Sequence, residues 1–111
     1  MKADIPAPLH DVRCAGCAIR DFVAGKTFAD YVSDELLRSA VERKFQIMGE
    51  ALTRIKREEP ALIERIRDGN SIIAFRNILV HGYDSIDDRI VWNVIEEDLA
   101  ALIADVERLL P

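Results

Sequence analysis

Apolar residues fall at Leu37, Val41, Phe45, Met48, Leu52 and Ile55, and again at Val91, Ile95, Leu99, Leu102, Val106 and Leu109. Both series step 4-4-3-4-3, which gathers each on one stripe of an α-helix and leaves charged residues on the other faces. No long alternating run competes with them, so the pattern predicts an all-α chain anchored by two long amphipathic helices, about 34–57 and 87–110. Ser33 and Asp34 offer N-cap chemistry before the first stripe, and Glu58-Glu59-Pro60 ends it, because proline lacks the amide hydrogen of a helix interior. Pro8 can open an earlier helix through Val12, Ala15, Ile19 and Val23, closed by Gly25. Phe28 and Tyr31 then staple a short connection to the core. Asp68-Gly69-Asn70-Ser71 reads as a loop ending in a cap, and a further helix from about Ser71 carries Ile72, Phe75 and Leu79 up to a Gly82 C-cap. Gly49 with Ala51 suits close approach of a neighbouring helix. The acidic run Asp84 to Asp88 favours the positive N-terminus of the last helix. Four helices with modest loops make an antiparallel four-helix bundle, one domain over 1–111.

The 111 residues match such a domain, which at this length buries enough surface for a single core. No uncharged apolar run reaches the roughly 18 residues of a membrane span, and Met1-Lys2-Ala3-Asp4 lacks the apolar stretch of a signal peptide. The expectation is a cytoplasmic protein with no membrane association. Formal charge is −5, but it is segregated: residues 1–37 carry a net −2, residues 38–83 a net +3 and residues 84–111 a net −6. The mid-chain excess of Arg and Lys fits either a local anion-binding surface or a solvated helix face.

Candidate chemistry narrows quickly. Cys14-Ala15-Gly16-Cys17 is a C-x-x-C, yet it sits inside helical sequence with no preceding strand, and His10 and His81 are the only histidines that could join it on zinc. Both cysteines are expected in the core, with no metal and no cofactor. No nucleophile elbow or glycine-rich phosphate loop is present. Arg76-Asn77-Ile78-Leu79-Val80-His81-Gly82-Tyr83 differs, because it collects four side chains suited to phosphate chemistry at one helix end. Its spacing alone is weak, since an Arg five places before a His arises about 0.2 times by chance in such a composition. A His near a helix C-terminus and a Tyr packed after Gly82 also have structural explanations.

The stretch resembles the R-x4-H-x-Y signature of HepT-like proteins of the HEPN superfamily. Ala40 to Arg43 leading to Ile47-Met48-Gly49-Glu50-Ala51 is similar to that family's second helix, and Ile90-Val91-Trp92 leading to Glu97-Asp98-Leu99 to its last. The similarity spans about 34–110 and is weaker over the first 30 residues. It implies a HEPN-like bundle and a metal-independent endoribonuclease toxin that pairs as a homodimer. It also implies neutralisation by a cognate minimal nucleotidyltransferase antitoxin, with Tyr83 as the acceptor of AMP. On the residues themselves, His81 can serve as base or acid, Arg76 is a permanent cation with a planar fork matched to phosphate, and Asn77 can orient an oxygen. Tyr83 would line or regulate the site. At about 100° per residue, Arg76 and His81 stand about 140° apart around a helix. Either the helix ends by His81 or a second subunit completes the site. Two other readings stay open: a non-catalytic module docking the nucleotidyltransferase, and a plain helical interaction protein.

Overall fold

The structure, a computed structural model, describes residues 6–82 and 86–111; Tyr83 lies outside them. Among the described residues the chain forms α1 (Pro6–Val23), α2 (Phe28–Ser33), α3 (Glu35–Glu58), α4 (Pro60–Ile63), α5 (Gly69–His81), α6 (Asp88–Glu97) and α7 (Leu99–Leu109). The long pieces α1, α3, α5 and the α6–α7 pair make the helical bundle that the periodicity predicts, with α2 and α4 as short connectors. All six residues of the α3 stripe are buried, and Val91, Leu99, Leu102 and Val106 of the last stripe join them in one core. Residues 13 and 16 of α1 meet residues 107 and 103 of α7, an antiparallel pairing: Arg13 lies 3.2 Å from Glu107, and a Cβ on Gly16 would stand 2.8 Å from Ile103 Cγ1. None of the described helices is long and apolar enough to cross a membrane.

Caps explain the boundaries. Asp34, extended at φ −117°, accepts the Leu37 amide at 3.0 Å and so starts α3. Ser33 instead ends α2, its hydroxyl donating to the Asp30 carbonyl. The connection 25–33 holds more structure than its sequence suggests. Thr27 accepts the Asp30 amide and Asp30 accepts the Thr27 amide, a reciprocal capping box that makes 28–33 a helix. Those same bonds hold the Asp30 carboxyl below its usual range, the Thr27 backbone amide first. Gly25 supplies the left-handed turn, φ +74°, that closes α1.

Three boundaries differ from the sequence pattern, the first being α1, which is helical from Pro6 and not from Pro8. Asp68 adopts φ 63° and turns the chain at once into α5, which therefore begins at Gly69 rather than Ser71. The single helix expected over 87–110 is interrupted at Asp98, φ −115°. Its hydrogen bonds still run across the break, from the Asp98 amide to Val94 and from the Leu102 amide to Asp98. Glu96-Glu97-Asp98 places three acids at the negative end of α6, where the helix dipole opposes them. Burial, then Asp68 and Glu97, push the Asp98 carboxyl up from its ordinary range.

Asp105 is the one charged residue buried among those described, 7% exposed. It accepts the Arg67 amide at 2.8 Å and pairs with Arg108, and thereby ties the segment before α5 to α7. At the opposite end, Tyr31 is fully buried with Trp92 5.5 Å away and its hydroxyl unpartnered; Phe28 also meets Trp92, and Arg89 lies 3.7 Å over the Phe28 ring. Burial, with Glu42 and Asp88 adding to it, raises the Tyr31 hydroxyl strongly, and burial followed by Asp88 raises the Glu42 carboxyl. These contacts lock α2 between α3 and α6 and leave α3 and α5 to frame the remaining side.

The cysteine pair departs from expectation. Cys17 packs partly against the core, but Cys14 is exposed. Leu9, Val12, Ala15, Gly16 and Ile19 already form the inward face of α1, and Cys14 falls outside that arc.

Candidate active site

Arg76 is set where α5 crosses α3. Phe45 and Phe75 meet edge to face at 5.2 Å and 78°, which fixes the register of the two helices. One residue on, the Arg76 stem lies directly over Gly49: a Cβ built there would stand 2.3 Å from Arg76 Cβ and 2.6 Å from Cγ. Only a glycine permits that approach, as the pairing of Gly49 with Ala51 suggested. The guanidinium then reaches outward, its side chain 27% exposed. One terminal nitrogen lies 3.4 Å from Glu50 Oε1 and the other donates to Asn77 Oδ1 at 3.1 Å. Arg76 Nε is buried without a partner. The fork is therefore held by oxygens on two sides yet not saturated, a state that suits exchange of the Glu50 carboxylate for a phosphate oxygen.

His81 is the last residue of α5 and is exposed. The Gly82 amide donates to the Ile78 carbonyl at 2.7 Å, so helical bonding persists as far as Gly82. α5 keeps its helical geometry up to His81, so Arg76 and His81 stand about 140° apart in azimuth and about 7.5 Å apart in rise. Arg76 is turned toward α3, whereas His81 shares an outward face with Ala74, Asn77 and Ile78, all exposed. Ile78 is 54% exposed, an apolar side chain three residues from His81 on that face.

Of the residues the sequence singled out, Arg76 and Asn77 are brought into contact and His81 stands apart on the same helix, while Tyr83 is outside the described residues. Glu50 is the addition. It was visible only as part of a helix resembling the family's second, and nothing in its spacing tied it to a residue 26 places later. No three His, Cys, Asp or Glu side chains gather as a metal site among the described residues. Two surface hollows, one lined by Ile63, Ile66, Arg67 and Asp68 and one by Phe22, Leu36, Leu37 and Ala40, lie apart from Arg76 and His81.

The family described as "Ribonuclease HepT-like" matches residues 16–109, and the chain belongs to that family, a class of ribonucleases. Among relatives, the chain is 30% identical over 109 residues to "Probable ribonuclease HepT" of Thermococcus cleftensis, covering 98% of each. It is 26% identical over 106 residues to "Putative RNase MJ1380" of Methanocaldococcus jannaschii, covering 96% of each. No solved structure gives a significant match.

Proposed function

We propose that the protein is a metal-independent endoribonuclease in which Arg76 and His81 are catalytic, and that it works as a homodimeric toxin of a HEPN/nucleotidyltransferase pair. The observation that carries this reading is Arg76: a cation fixed by the Gly49 contact, with a planar fork engaged among the described residues by Glu50 and Asn77 alone. In the reaction, the 2′-hydroxyl oxygen bonds to the adjacent phosphorus while a base removes its proton. The P–O5′ bond then breaks and an acid gives O5′ a proton, leaving a 2′,3′-cyclic phosphate and a 5′-hydroxyl. Arg76 neutralises charge building on the non-bridging oxygens. His81 supplies one proton transfer.

Two transfers need two groups, and each chain offers one motif histidine. The separation of Arg76 and His81 along a continuous α5, with Ile78 exposed beside His81, supports a site completed across a two-fold axis. The partner subunit's His81 then makes the second proton transfer. This is tested by mixing His81→Ala chains with wild type and following cleavage. With mutant in excess, activity falls as the square of the wild-type fraction; a linear fall means that each chain acts alone.

Tyr83, two residues beyond His81, is the acceptor of AMP from the nucleotidyltransferase in this reading. A phosphodiester there carries a permanent negative charge that competes with RNA for Arg76. Incubation with the nucleotidyltransferase and ATP adds AMP to the Tyr83 peptide of the wild type and none to Tyr83→Phe. Suppressed activity with an unmodified peptide would assign control to docking alone. The alternative, a non-catalytic module that docks the nucleotidyltransferase, draws support from a different place. Phe22, Val32 and Leu36 expose apolar surface where α1 ends and α3 begins, with Leu36 80% exposed.

A further inference from the structure

The outward face of α3 beside Arg76 is polar for four turns. Arg43, Gln46, Glu50, Thr53 and Arg57 follow one another at 3, 4, 3 and 4 residues, which keeps them within about 80° of azimuth. All but Gln46 are exposed. Arg43 donates to Gln46 Oε1 at 3.4 Å, and Thr53 donates to the carbonyl of Gly49, the residue under the Arg76 stem. The acid in the middle, Glu50, is the one that pairs with Arg76. Its charge is thus offset locally, and the stripe presents an arginine at each end and Arg76 at its centre. Arg43 and Arg57 each lie seven residues from Glu50, about 10.5 Å along the axis on either side.

We infer that this stripe is the track on which the substrate's sugar-phosphate backbone lies, with Arg43 and Arg57 holding phosphates on either side of the one gripped by Arg76. At about 3.4 Å per stacked nucleotide, each arm of the track corresponds to about three nucleotides. The ligand is single-stranded RNA, and recognition is of its charge and spacing, not of bases. Glu50 is the placeholder: its carboxylate occupies Arg76 until a phosphate replaces it. The inference rests on the RNA-cleaving reading above. Arg57 in the last turn of α3 also complements the helix dipole, but Arg43, mid-helix, has no such role.

The test uses the full chain carrying Arg43→Ala and Arg57→Ala together, a pool of dinucleoside monophosphates, and a random-sequence dodecaribonucleotide. A 2′-O-methyl form of the dodecamer reports binding by fluorescence anisotropy. The expected loss is confined to length: KM for the dodecamer rises about tenfold with kcat kept, and dinucleotide cleavage stays within twofold of wild type. The slope of log Kd against log salt shrinks by about 1.4, or about 0.7 for each phosphate contact removed. Unchanged dodecamer KM and salt slope would overturn the track, as would equal losses on both substrates. If the wild type cleaves neither substrate, the cleaving reading fails, and the anisotropy slope still decides the track. Intact RNA binding with lost capture of the nucleotidyltransferase would assign the stripe to that protein and overturn the inference as well.

Discussion

Replacing His81 with alanine is expected to cut RNA cleavage by about 10²- to 10⁴-fold, the usual contribution of a positioned proton-transfer group. Stability should change by less than about 0.5 kcal/mol, since the side chain is exposed at the end of α5. Arg76→Ala should cost about 10²- to 10³-fold through loss of charge stabilisation at phosphorus. Here some stability is lost as well, because the Arg76 stem covers Gly49. The decisive comparison is kcat at a temperature where circular dichroism shows each variant fully helical. Wild-type kcat in a folded His81→Ala protein would remove His81 from the chemistry.

Gly49→Ala should do nearly as much damage with a change of one methyl group. The new Cβ would stand 2.3 Å from Arg76 Cβ, an atom fixed to the α5 backbone, so no side-chain rotation relieves the overlap and α5 must move off α3. Overpacking of this kind costs about 1–3 kcal/mol, and each kcal/mol lowers Tm by roughly 4–8 °C in a chain of this size. Displacement of Arg76 should lower kcat beyond what the stability loss explains. Gly16→Ala is the control. Its Cβ meets the Ile103 side chain at 2.8 Å on the α1–α7 contact, so it should lose stability and keep kcat. A Gly49→Ala protein with wild-type Tm and kcat would show that the close crossing does not set the arginine.

Most of the scaffold was legible because it rests on local rules. The α3 stripe is buried at every predicted position, and Asp34, Gly25 and Gly82 cap where their chemistry allows. What escaped depended on particulars. The capping box that makes α2 a helix uses Asp30 where a longer acid is the usual signal, and Asp68 starts α5 early through a left-handed conformation that non-glycine residues seldom adopt. The break at Asp98 lies within an unbroken apolar stripe, so periodicity carries no trace of it. Cys14 was misplaced because residue type stood in for azimuth. At the site, Arg76 and His81 were marked by spacing and resemblance, and Gly49 by its size. Glu50 became part of the site only when packing brought α3 and α5 together.

The central claim is that Arg76 and His81 drive 2′-hydroxyl attack on RNA, and its most direct measurement is the product of cleavage. Purified protein is incubated with an oligoribonucleotide in EDTA, beside the same sequence as DNA, and fragment ends are read by mass spectrometry. Expected are RNA fragments ending in a 2′,3′-cyclic phosphate with 5′-hydroxyl partners, undiminished by the chelator, and intact DNA. Cleavage that requires an added divalent metal, or that cuts DNA equally well, would contradict it.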